Sequence, residues 1–151
     1  MAYMLALATV DQPLTDVEAK IIFDTVTPGS YGNITKAGND FTCVVGGSYI
    51  FILEPQVRQD KNNNVTGIWV KKNGVDVPWL GAVFETGNVN DNGVLSVTFA
   101  GPLQKGDVIN FWGVTSLSLG STLNAVAAVP PLPPMAACVL TILGFNTGVP
   151  A

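Results

Sequence analysis

Histidine is absent from this 151-residue sequence, and cysteine occurs only twice, at Cys43 and Cys138. Without histidine there is no ordinary general base near neutral pH, no Ser-His-Asp or Cys-His arrangement and no imidazole ligand. Two cysteines far apart in sequence give neither a disulfide framework nor a CxxC metal clip. They read as two small buried apolar side chains or as one disulfide; in a protein assembled in the cytoplasm they are reduced. Charge is scarce too: 12% of residues are charged, seven basic against eleven acidic. A net charge of −4 with scattered basic residues leaves no electrostatic footprint for nucleic acid or an anionic membrane. No run reaches the roughly 18 apolar residues of a spanning helix. The opening "MAYMLALATV" is apolar for ten residues, without the basic n-region or cleavage site of a signal peptide. Helical periodicity is nearly missing as well: "DVEAKIIF" is the one candidate for a turn of helix, and its Ile21, Ile22 and Phe23 look more like a strand opening.

What is present is β-type pattern and turn chemistry. Sixteen glycines and ten prolines suit many short strands joined by turns. Strands are expected at about Tyr3–Val10, Lys20–Thr25, Asp40–Val45, Ser48–Gln59, Gly67–Lys72, Val75–Phe84, Gly93–Ala100, Asp107–Val114 and Ala136–Phe145. The breakers between them are "TPGSYGN", "VGG", "DKNNN", "KNG", "GNVNDNG", "GPLQKGD" and the stiff "VPPLPP" run. In "VKKNGVDVPW", Asn73-Gly74 supplies the positive-φ pair of a two-residue hairpin turn. No internal repeat appears. The expectation is one all-β domain over residues 1–151, with 1–13 as its first strand or an N-terminal arm.

The faces of these strands are uneven. Tyr49, Phe51 and Leu53 alternate with Ile50 and Ile52, so that strand is apolar on both sides. The last strand does the same: Ala136, Cys138, Leu140 and Ile142 oppose Val139, Leu143 and Phe145. The first is apolar throughout. By contrast "WVKKNG" carries Lys71 and Lys72, and "GVLSVTF" alternates Leu95, Val97 and Phe99 with Ser96 and Thr98. A sandwich strand needs one buried face. A mean hydropathy of +0.38 and three strands dry on both sides call for a partner subunit over one sheet.

Several segments, in order, resemble the C1q/TNF-like family of jelly rolls. "IIFDTV" looks like an early strand, and "GNDFTCVVGGSYIF" like the family's phenylalanine strand followed by Gly-x-Tyr-x-Phe. "VKKNGVDV" is similar to its Asn-Gly hairpin, "LQKGDVINFW" to the leucine-x-x-Gly-Asp stretch before the penultimate strand, and "ACVLTILGF" to its closing strand. The resemblance spans about residues 20–145. It implies a ten-stranded, two-sheet jelly roll packed as a homotrimer through the sheet that holds the first, Gly-x-Tyr-x-Phe and last strands. It places Tyr49, Phe51, Leu53, Val97 and Phe99 in the core. Ile50, Ile52, Ser96, Thr98, Val139 and Leu143 then form the trimer interface. A one-residue slip in the closing strand would reverse its two faces.

Candidate chemistry is thin. Asp24, Asp40, Glu54, Asp60, Asp76, Glu85, Asp91 and Asp107 show no spacing that suggests acid–base work, and most flank turns. No catalytic residue, metal ligand or cofactor is expected. "QDKNNN" and "NVNDNG" carry oxygen ligands of the kind that hold calcium in some family members, but neither has EF-hand spacing, and solvated turns are the simpler reading. Asn33-Ile-Thr35 and Asn64-Val-Thr66 fit the glycosylation sequon and are read as accidental. Trp69, Trp79 and Trp112 are read as core or interface residues in preference to a sugar-stacking platform. With no export signal and no collagen stalk, the chain looks like the short jelly rolls of phage and virus particles. The expected function is a non-enzymatic virion protein on the capsid surface: a homotrimeric decoration, cement, head-fibre or spike protein partnered with the major capsid protein or other virion proteins. The alternatives are a bacterial spore-coat or cell-surface trimer, and a secreted receptor- or glycan-binding module.

Overall fold

Alternating apolar and polar residues become two antiparallel sheets in the computed structural model, which describes residues 2–27 and 33–145. The "TPGSYGN" breaker lies largely outside them. Fourteen strands are present among the described residues: β1 (Ala2–Ala8), β2 (Gln12–Leu14), β3 (Ala19–Lys20), β4 (Thr25–Val26), β5 (Ile34–Ala37), β6 (Asp40–Cys43) and β7 (Gly47–Gln59) come first. β8 (Asn64–Lys72), β9 (Val75–Thr86), β10 (Asn92–Val94), β11 (Val97–Leu103), β12 (Val108–Thr115), β13 (Ser121–Leu123) and β14 (Cys138–Phe145) follow. The eight-stranded sheet runs β2-β13-β7-β14-β1-β4, with β10 and β11 also on β7; the six-stranded sheet runs β5-β6-β12-β8-β9, with β3 on β12. Among the described residues no helix is long and apolar enough to cross a membrane.

The first stretch is a strand, paired antiparallel with β14 from Ala2↔Gly144 to Ala8↔Cys138. The first, Gly-x-Tyr-x-Phe and last strands are therefore neighbours in the order β7-β14-β1. The Asn73-Gly74 turn joins β8 to β9 with φ of +53° and +79°, the doubly positive geometry that makes Asn-Gly favourable there.

The core lies between the sheets. Tyr49, Phe51, Leu53, Val97 and Phe99 are buried, as are Phe41, Phe111, Leu140 and Ile142. Phe51 is at its centre, with Phe99 edge-on at 5.9 Å and Phe111 tilted at 6.5 Å. Cys43 and Cys138 are both buried and unbridged, so of the two readings of the cysteines the structure has two free thiols.

Some expected boundaries move. Lys20–Thr25 is not one strand: β3 belongs to the six-stranded sheet and β4 to the eight-stranded one. The crossing is driven by Ile21 and Phe23, each 1% exposed, which reach the core on the way. The Gln12 amide satisfies both backbone groups of the exposed Ile22 between them. Gly93–Ala100 is broken into β10 and β11, and Gly101–Leu103, read as part of a turn, extends β11. Among the described residues β11 pairs only with β7, so Pro102 forfeits no ladder bond on its other edge. The "VPPLPP" run lies within a small hairpin closed by the bridges Val126↔Met135 and Val129↔Leu132.

Candidate functional site

The carboxylates come first, because catalysis would need them. Asp107 accepts from Gln104 N and Asn73 Nδ2, which closes the turn before β12; these bonds hold its carboxyl below the usual range. Asp60 takes hydrogen bonds from Arg58 and Thr122, and Asn62 caps Val89 N. The oxygen-rich loops thus use their side chains on their own backbone and neighbours. Among the described residues no group of three or more histidines, cysteines or carboxylates could hold a metal.

A second candidate surface is the outer side of the eight-stranded sheet. Strand register sets its residues in three rows. Tyr3 lies opposite Leu143, Leu143 opposite Ile50 and Ile50 opposite Ala100. Leu5, Thr141, Ile52 and Thr98 make the second row by the same pairings. Leu7, Val139 and Glu54 make the third, with Ser96 just beyond β11 at its end. Ile50, Ile52, Leu5, Leu7, Val139 and Leu143 are half-buried in the single chain, while Ser96 and Thr98 are exposed. The alternation follows from the inner parity: once Tyr49, Phe51 and Leu53 fill the core, Ile50 and Ile52 have nowhere else to go. Past Glu54 the same parity turns polar, with Gln56 and then Arg58, which binds Asp60 and Asn124. That change bounds the apolar patch.

The outer side of the six-stranded sheet is built from different chemistry. Trp112 lies opposite Trp69. The Lys71 ammonium sits 4.1 Å from the Trp112 ring centroid and 2.8 Å from Glu18. Trp112 Nε1 donates to Asn110 Oδ1 at 2.7 Å, Asn110 Nδ2 donates to Asp40 at 2.9 Å, and Asp40 pairs with Lys20 at 2.9 Å. Trp69 Nε1 donates to Asp76 at 2.9 Å. Asn110 first, and Lys20 with it, holds the Asp40 carboxyl below the usual range. This face satisfies its own polar groups.

The tryptophans depart from the core half of their sequence reading. All three lie outside the core, with Trp69 and Trp112 half-buried on the outer side of the six-stranded sheet and Trp79 99% exposed. Trp79 is also at φ +68°, in the left-handed region a bulky residue avoids. The pairing explains its position: between Trp69↔Gly81 and Lys71↔Asp76, Val70 alone on β8 faces Val77, Pro78, Trp79 and Leu80 on β9. A bulge of this kind is written across two strands, so no single-strand pattern announces it. The sequon Asn64-Val-Thr66 is closed by burial, with Asn64 and Thr66 both 0% exposed in a polar cluster with Gln59 and Ser121.

No protein-family model and no curated protein matches this sequence. Solved structures do. Murine APRIL is similar over 95% of this chain and 98% of its own, with a TM-score of 0.60 at 10% identity. The globular domain of zebrafish complement 1qA protein is similar over 98% of this chain and 100% of its own, with a TM-score of 0.58 at 14% identity. Near-complete coverage in both directions, with two antiparallel sheets and the strand neighbours described above, establishes that this chain has the C1q/TNF-like jelly-roll fold.

Proposed function

We propose that this chain is a non-enzymatic structural protein that assembles as a homotrimer and coats or projects from a virus particle. Its further partners are then the major capsid protein or other virion proteins. The observation that carries the trimer is the outer side of the eight-stranded sheet, where the rows through Ile50 and Ile52 offer half-buried apolar side chains on adjacent strands. Covering such a patch contributes about 25 cal/mol per Å2 of apolar area, repeated in each subunit. Ile50, Ile52, Val139 and Leu143 form the centre of the contact, with Ser96 and Thr98 toward its β11 edge. The two free, buried thiols support assembly in a reducing compartment, as expected of particle proteins built inside a cell.

Light scattering on the purified chain should report three copies, and a stable monomer would sink the trimer. Antibody labelling of intact particles from the source tests the rest of the reading. Particles that carry none of this protein would remove the virion role while leaving the trimer standing.

A further inference from the structure

Trp79 is in a place the fold does not explain. The β9 bulge has structural reasons at Val77 and Leu80, which are partly buried against the core. At position 79 the same bulge needs only a residue tolerant of positive φ, for which glycine or asparagine is the low-cost choice. The chain instead has its largest apolar side chain there, 99% exposed. Strained backbone beside a bulge is where proteins re-aim a side chain toward a ligand.

The surroundings define the ligand. Trp79 borders an open dish of about 560 Å3 with Trp69, Asp76, Val77, Leu80 and Gly81. Gly81 keeps the dish shallow yet tight against β8, since a Cβ there would lie 2.9 Å from Ile68 O and 3.1 Å from Trp69 Cβ. Asp76 stands in the wall with its side chain 67% exposed, and Glu18 beyond it is 48% exposed. Lys71, the nearby cation, is 12% exposed, turned onto Trp112 and Glu18, and 3.7 Å from Asp76. The dish therefore presents an indole face and the Asp76 carboxylate, with the nearby ammonium already engaged.

We propose that this dish is a saccharide-binding site for a neutral pyranose unit of a glycan. The C–H face of the ring lies on the Trp79 indole, and its hydroxyls donate to Asp76. A pyranose is apolar on its faces and rich in donors at its rim, which matches this mixture. A protein anchor would want the polar groups kept to the outside, whereas here the Asp76 carboxylate stands in the wall beside Val77, Leu80 and the indoles. Asp76 also selects against acidic sugars, because the cation beside it, Lys71, is already shared with Glu18 and the Trp112 ring.

The test uses the assembled protein titrated with chitotetraose, maltotetraose and mannotetraose, and with sialyllactose as the charged control. Saturation-transfer NMR and tryptophan emission are the readouts, at up to about 10 mM sugar. Trp79→Gly is the informative variant, since it relieves the positive φ and is expected to melt no lower than the parent. Saturable binding of a neutral tetrasaccharide that weakens by about tenfold or more in Trp79→Gly is the expected result. Asp76→Ala should weaken it as well. Absence of binding by all three neutral sugars, binding by sialyllactose alone, or undiminished binding by Trp79→Gly would each overturn the proposal. Loss of the native mass in Trp79→Gly would overturn it too, by assigning the indole to a contact between protomers. A parent that binds sugar as a monomer would leave this site intact and refute the trimer alone.

Discussion

On the outer side of the six-stranded sheet, Trp112, Asn110, Asp40 and Lys20 form one chain of hydrogen bonds, and Lys71 closes it against Glu18. On the outer side of the eight-stranded sheet, Ile50, Ile52, Val139 and Leu143 lie in rows made mostly of apolar side chains, with Thr98 and Thr141 beside Ile52 and Glu54 at the end of the Val139 row. Both sheets turn the same sort of residue inward. The difference lies wholly in the outer parity of each strand. Inner parity decides that the chain folds as a sandwich; outer parity decides whether the sandwich can stand alone in water.

The harshest way to break the comparison is to put the chemistry of one face on the other. Ile52→Asp would place three carboxylates in the assembled contact, each at a desolvation cost on the order of several kcal/mol. Light scattering should then show monomers. Lys71→Asp gives up a cation–π contact and the ion pairs with Glu18 and Asp76, all on the other sheet, and should keep the trimer mass. If Ile52→Asp assembles normally, the contact lies elsewhere.

Adjacent residues of β7 give a finer cut. Phe51→Ala opens a hole between Phe99 and Phe111 and should cost about 3–5 kcal/mol in urea unfolding, independent of protein concentration. Ile50→Ala removes apolar area from the outer row. Its effect should grow on dilution, because it acts on assembly and assembly follows mass action. Equal and concentration-independent losses for both would erase the distinction between the faces.

A third environment sharpens the contrast, since the core between the sheets is itself polar at one end. Asn64 Nδ2 donates to Gln59 Oε1 at 2.9 Å, and Asn64 Oδ1 accepts from Leu117 N at 3.1 Å. Asn64→Ala would strand both partners away from water and should cost about 2–3 kcal/mol in thermal or urea unfolding. A neutral result would mean that water enters this end, and that its polarity belongs with the outer surfaces.

How much of this was legible follows from the range of the signals. The two-residue period of "SYIFIL" and "VLTIL" is local, so the doubly apolar strands could be read directly and the fold inferred from their order. Trp79 could not be. Its exposure depends on β9 slipping past β8 by several residues, and "DVPWLGA" alone reads as an ordinary strand. Pro78 and Gly81 were the available hints, since both mark irregular strands. The crossing at Ile21–Phe23 was hidden for a related reason: an alternating segment looks the same whether it pairs with one sheet or passes between two. Nor does any sequence term tell Asn64 in a sequon from Asn64 in a core, because burial there is set by the loop at Ser116–Leu117 folding over it.

Acid offers the mildest probe of the same contrast. Asp40, held by Asn110 and then Lys20, and Asp107, held by Asn73 and then Gln104 N, both serve the six-stranded sheet and both have lowered pKa values. A carboxyl whose folded pKa is below its ordinary 3.8 stabilises the fold at all pH values above that figure. The contribution is lost as pH falls through the lowered folded value. Asp24, near the end of the eight-stranded sheet, behaves alike: burial opposes its ionisation, but hydrogen bonds from Thr9 outweigh burial. The melting temperature should therefore decline from about pH 5 to pH 3, modestly, because these groups are largely open to solvent. Asp40→Asn with Asp107→Asn should flatten most of that slope and leave the part due to Asp24. Light scattering over the same interval should keep the mass of the native assembly as long as the chain is folded, since the rows through Ile50 and Ile52 hold no carboxyl group. A mass that falls to one chain in step with Asp40 and Asp107 would place the subunit contact on the tryptophan face instead.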